Sequence, residues 1–169
     1  LNDKITNTLN NPWITNLNPF DKKVVVPSEG VIKNKVTEKV YKELHEQLGQ
    51  EIYVGKWETI DQYCINQFAE ITGDTQWIHT DPERAQKESP FKTTIVHGFL
   101  TLSLIPKLTN TISSSKNLFP EARMVVNYGL NQVRFPYPVK SGSRVRARTR
   151  MVDVQPKNNS IELINEISI

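Results

Sequence analysis

The feature that most restricts the fold is a change of hydrophobic period after residue 112. Before it, Phe99, Leu100, Leu102, Leu104, Ile105, Leu108 and Ile112 fit helical spacing and leave few polar faces. A helix that is apolar almost all round is a buried helix. Pro106 lies within it and is expected to kink it or disturb one turn. Beyond a Ser-rich loop the period falls to two. Residues 123–128, 132–135, 144–154 and 161–169 read as strands. One buried helix followed by several antiparallel strands predicts an α+β domain, with a sheet wrapped around a central helix.

The chain ahead of that helix divides in two. Residues 1–36 are rich in Asn, Lys and Thr, are broken by Pro12, Pro19 and Pro27, and show no sustained period. They read as an extension, loosely ordered or packed on another surface. Residues 37–169 then form one domain, in keeping with a length of 169 residues. Val40, Tyr41, Leu44 and Leu48 predict a helix, with Thr37 as its cap and Gly49 as its stop. Residues 52–57 read as a short strand. A second helix is expected over about 60–72, capped by Thr59, with Ile60, Tyr63, Cys64, Phe68 and Ile71 as its apolar stripe and Gly73 as its break. Asp81-Pro82 reads as an N-cap followed by an N1 proline, opening a short helix to about Lys87.

Composition excludes several classes. No apolar run approaches the 18–20 residues of a membrane-spanning helix. Cys64 is the only cysteine, so an internal disulfide framework is impossible, which suits a reducing cytoplasm. The chain opens on Leu1 without an apolar signal core, so its start reads as a processing or cloning boundary. The formal net charge of +3 is mild. Without zinc-finger spacing, an RNP-like motif or a Gly-rich phosphate loop, a nucleic-acid partner has no support.

Chemistry concentrates between Phe68 and Leu104, where Asp74, His79, Asp81 and His97 fall. Asp74 and His79 share a loop between two helices. Their spacing lets a carboxylate and an imidazole flank one water and share its protons. Spacing alone leaves other readings open. Asp74 could cap the next turn, His79 could be a satisfied polar residue, and Asp74, His79, Asp81 and His97 are all candidate metal ligands. Their spacing matches no recognised zinc pattern. Gly98 opens the buried helix, whose first N–H groups lack internal partners and favour negative charge. A glycine there admits a ligand oxygen closely, or simply permits tight packing.

The segment resembles the MaoC-like dehydratases, also called the hydratase 2 group, and within them the NodN-like branch. The residues that carry the resemblance are Phe68-Ala69, Thr72-Gly73-Asp74, Gln76-Trp77-Ile78-His79, Asp81-Pro82-Glu83-Arg84-Ala85, Ser89-Pro90-Phe91 and the run from Ile95 to Ser103. Asn127-Tyr128-Gly129-Leu130 and Val133-Arg134-Phe135-Pro136 extend it, over roughly residues 40–155. The resemblance implies a hot-dog fold and the hydration of trans-2-enoyl thioesters to (3R)-3-hydroxyacyl thioesters, with the reverse dehydration, in fatty acid metabolism. It implies Asp74 and His79 as the catalytic pair and the Gly98 N–H as the donor to the thioester carbonyl. Gln76, Trp77, His97 and Ser103 take supporting positions. It implies no metal and no cofactor, an acyl-CoA or acyl carrier protein substrate, and a homodimer. Three departures stand out. Gln76-Trp77 replaces the Asn-Pro of many members, the extension over residues 1–36 is not part of the pattern, and the chain ends at Ile169, where relatives usually continue into a further strand.

Three further readings follow. On a strand, Arg144, Arg146, Arg148 and Arg150 share one face. That face is either simply solvated or a rim for the phosphates of coenzyme A or an acidic carrier, and Arg84 raises the same choice. Cys64 reads as core rather than as a nucleophile. A hot-dog thioesterase and a non-catalytic acyl-thioester binder are the rival functions.

Overall fold

The computed structural model describes residues 34–111, 119–157 and 160–169. The predicted extension lies almost wholly outside them, as does Ile112. Helix α1 (Lys35–His45) starts earlier than the sequence suggests. Asn34, not Thr37, caps it, accepting the Val36 N–H at 2.9 Å. Strand β1 (Glu51–Val54) follows Gly49, and β2 is Glu58–Ile60. Helix α2 (Gln62–Thr72) is capped by Asp61 rather than Thr59, and ends at Gly73 in the left-handed conformation that favours glycine. Two short helices come next, α3 (Trp77–Thr80) and α4 (Pro82–Glu88). Asp81 caps α4 as expected, accepting the Arg84 N–H at 2.9 Å.

The buried helix is in two pieces, α5 (Gly98–Ser103) and α6 (Ile105–Leu108). The break falls at Leu104, two residues before Pro106, whose missing N–H interrupts the ladder. Three strands complete the elements: β3 (Ser143–Val145), β4 (Arg148–Lys157) and β5 (Ser160–Ser168). They form an antiparallel sheet in the order β1-β4-β5 and an antiparallel pair β2-β3.

Two apolar clusters hold these parts together. Ile60, Ile65, Val96, Leu100, Leu108, Val145 and Ala147 join α2, α5 and α6 to the β2-β3 pair. Leu44, Met151 and Val154, with Val40, Tyr41, Leu48 and Ile52 around them, seat α1 on the three-stranded sheet. Burial alternates without interruption from Val145 through Ala147 and Thr149 to Met151, although β3 ends before β4 begins. Arg144, Arg146, Arg148 and Arg150 therefore all point outward, as the period of two predicts. Arg148 pairs with Glu51 at 2.6 Å and Arg150 with Glu166 at 2.8 Å. Arg144 and Arg146 lie instead over the half-exposed Trp57 ring, at 5.3 and 4.6 Å.

Three expectations need correction. The stripe on α2 is rotated. Ile65 and Ala69 are buried, whereas Tyr63 and Ile71 are 72% and 84% exposed. Phe99, expected inside, is 68% exposed. Residues 123–128 and 132–135 form no strand. Chain pairing resumes only near residue 139, where Val139 accepts the Val96 N–H and Ile95 bridges Lys140.

Candidate active site

Gly73 turns the chain out of α2 and starts the loop that carries Asp74. The Asp74 carboxylate accepts the Gln76 side-chain amide at 3.0 Å. That hydrogen bond is the main reason its pKa falls below the ordinary carboxylate value, and the nearby His97 and His79 rings push the same way against a partial desolvation. Asp74 is a carboxylate at neutral pH.

His79 sits on α3, half-buried, and its Nδ1 lies 2.7 Å from the Ile95 carbonyl. A carbonyl can only accept, so Nδ1 carries the proton. In the neutral ring Nε2 is then the nitrogen free to take one. The α3 backbone is itself anchored. Gln62 donates to the His79 carbonyl at 2.7 Å and accepts from the buried Thr94 hydroxyl. Gln62, Thr94 and Ile95 were not among the expected site residues. Gln62 reads in the sequence as one polar position on a helix, and a main-chain acceptor leaves no side-chain signature at all.

His97 is buried, with 3% of its surface exposed. Its Nε2–H donates to the Asp74 main-chain carbonyl at 2.9 Å. Its ring stacks on His79, with centroids 3.9 Å apart and planes at 28°. Among the described residues its Nδ1 has no hydrogen-bond partner.

These groups line a cavity of about 190 Å³ with Thr72, Gly98 and two phenylalanines, Phe68 and Phe99. One candidate ligand atom from each of Asp74, His79 and His97 lies within 4.8 Å of the others. Hydrogen bonds of about 2.7–3.0 Å on either side let a single water bridge such a span. The same trio could hold a metal through the Asp74 carboxylate, His79 Nε2 and His97 Nδ1, the atoms their other hydrogen bonds leave available. Asp81 does not join them, because its carboxylate caps α4.

Gly98 is the first residue of α5. His97, at the cap position, makes no side-chain hydrogen bond to the helix. The first N–H groups of α5 thus have no side-chain cap at the edge of the cavity. A Cβ at Gly98 would meet the Phe135 ring at 3.0–3.2 Å, so glycine admits that ring here. The other expected supporting residues stand apart. Trp77 lies under the Arg84 guanidinium at 4.5 Å, and Arg84 also pairs with Glu88. The Ser103 hydroxyl donates to the Phe99 carbonyl, one turn back along its own helix.

Residues 43–168 match the family model described as MaoC like domain. The chain belongs to the MaoC-like dehydratase family. Among MaoC-like relatives, 3-hydroxyacyl-thioester dehydratase Z of Mycobacterium tuberculosis (strain ATCC 25618 / H37Rv) is 49% identical over 111 residues, covering 66% of this chain and 70% of the relative. Nodulation protein N of Rhizobium meliloti (strain 1021) is 47% identical over 114 residues, covering 68% and 69%. The solved R-hydratase PhaJ1 of Pseudomonas aeruginosa, in its unliganded form, superposes with a TM-score of 0.56 at 25% identity, over 75% of this chain and 73% of that one. The MaoC-like architecture of these structures is the hot-dog fold, an α+β arrangement of antiparallel sheet and helices, as the sequence predicts.

Proposed function

We propose that this MaoC-like chain hydrates trans-2-enoyl thioesters to (3R)-3-hydroxyacyl thioesters and catalyses the reverse dehydration. The observation that carries the reading is the meeting of Asp74, His79 and His97 beside the uncapped N-terminus of α5. A base pair and an oxyanion donor are what water addition to a conjugated thioester needs.

In this scheme the Asp74 carboxylate and His79 Nε2 hold one water between them. The imidazole takes a proton from it, and the hydroxide forms its bond to C3. The C2–C3 π electrons move toward the thioester carbonyl. The Gly98 N–H donates to the carbonyl oxygen as negative charge develops there. The proton then passes from the Asp74/His79 pair to C2, so that the elements of water are added and both side chains return to their starting states. The thioester itself acidifies C2, so the scheme needs neither metal nor redox cofactor. Arg144 and Arg146 have no carboxylate partner among the described residues, unlike Arg148 and Arg150. They suit the anionic end of a coenzyme A or carrier-bound substrate.

The direct test follows loss of the enoyl absorbance of crotonyl-CoA, with free thiol measured in parallel and the product resolved by chirality. The expected result is loss of absorbance without thiol release, giving the (3R) product. Asp74→Asn and His79→Gln should each lower the rate about 10²–10⁴-fold while the protein stays folded. Thiol release without hydration would replace this reading with hydrolysis.

A further inference from the structure

His97 does not belong to the reacting pair, yet it touches both of its members. Its Nε2–H holds the Asp74 carbonyl, its ring lies on His79, and Phe68 packs against it with centroids 5.1 Å apart. The next residue is Gly98, the proposed oxyanion donor. The other hydrogen bonds of the Asp74 loop run to near neighbours in sequence: the Thr75 N–H donates to the Gly73 carbonyl at 3.0 Å, the Thr80 hydroxyl to the Thr75 and Gln76 carbonyls at 3.1 and 3.2 Å, the Asp74 N–H reaches the Thr72 hydroxyl at 3.4 Å, and the Gln76 amide bonds the Asp74 carboxylate at 3.0 Å. Among the described residues, the His97 hydrogen bond is the one short bond to the Asp74 main chain.

An imidazole is a poor choice if the position needs only filling. It is buried, and among the described residues its Nδ1 has no partner, a condition that native proteins seldom tolerate without a reason. Leucine, methionine or phenylalanine would occupy the space without an unmet polar atom. What they could not do is donate to the Asp74 carbonyl.

The geometry points to His97 as a positioning residue, which ties the Asp74 loop to the start of α5 and so sets the acid–base pair in register with the Gly98 N–H. This inference rests on the proposed hydration. The pair His97→Gln and His97→Met isolates the donor. The two side chains have the same length, and only the amide can replace the Nε2–H.

The expected result is a kcat about 10²-fold lower in His97→Met with KM little changed, and recovery of most of that loss in His97→Gln. The ¹³C resonance of the Asp74 carbonyl should move in the Met variant and stay close to the parent in the Gln variant. A folded Met variant whose kcat lies within a factor of about three of the parent, or two variants impaired alike, would overturn the inference. If the parent chain hydrates no enoyl thioester, the functional reading fails. The carbonyl resonance then still decides the tie, and an unmoved signal in the Met variant overturns it as well.

Discussion

Residues 94–108 and residues 123–137 are both rich in apolar side chains, yet they end in opposite environments. The first run supplies Val96, Leu100 and Leu108 to the core, along with the buried polar groups of Thr94, His97 and Thr101. The second leaves Met124, Val126, Tyr128, Leu130 and Tyr137 between 64% and 85% exposed. The difference lies in where the backbone finds its hydrogen bonds. A helix closes its own ladder, so an apolar run at helical spacing needs only a surface to lie on. A strand must borrow its ladder from a neighbour, and an alternating pattern does not supply one. Phe135, 48% exposed, is the member of the second run whose ring rests against Gly98 and Phe99.

Gly98→Pro tests the contrast most severely. Proline fits the first position of a helix, and the φ of −58° and ψ of 133° at His97 are acceptable before a proline. The change removes the N–H, so turnover of an enoyl thioester should fall about 10²–10³-fold. Gly98→Ala adds only the Cβ that meets Phe135, and in enzyme assays it should lose far less. Equal losses would mean that crowding, not the donor, matters at this position.

Stability should separate the regions next. Ile65→Ala empties a fully buried position beneath the site and should cost about 2–5 kcal/mol in denaturant unfolding. Tyr128→Ser, at 85% exposure, should stay within about 0.5 kcal/mol. A large loss at Tyr128 would show that the second run is covered in solution.

The smallest effect is electrostatic. Gln76→Ala removes the leading cause of the lowered Asp74 pKa, so that carboxyl should titrate closer to its ordinary value of 3.8 in a ¹³C NMR titration. The sign is fixed. A depressed carboxyl contributes stability that is present above its unfolded pKa and lost as pH falls through the folded one. The variant should therefore lose part of the parent's advantage above about pH 4 and converge with it in stronger acid. An unmoved titration would assign the depression to the histidines instead.

Much of this was legible in advance, for local reasons. Asp81-Pro82, Gly73 and the outward arginines act through their own backbone geometry, and each lies where its residue type demands. The sequence does not choose between Asn34 and Thr37, or between Asp61 and Thr59, because all four are acceptable cap residues. The buried stripe on α2 lies about one residue from the expected one, and at about 100° per residue that is enough to turn Tyr63 and Ile71 outward. Asp74, His79 and Gly98 stood out through a long motif. The ties that hold them run from side chains to the carbonyls of Asp74, His79 and Ile95, and every residue has a carbonyl.

Gly55 shows how the site is kept in place from behind. It is buried, donates to Ala147 at 2.8 Å, and faces the Leu108 carbonyl at the end of α6 so closely that a Cβ would collide with it. Both neighbours are main chain and cannot rotate aside. In a scan of all substitutions, this position should tolerate none, although it carries no chemistry and lies outside the cavity. It acts as a spacer of fixed thickness. Any thicker residue should lift the end of α6 from the strands, and the displacement would pass through Leu104 to α5 and reach the proposed acid–base groups as an error of alignment.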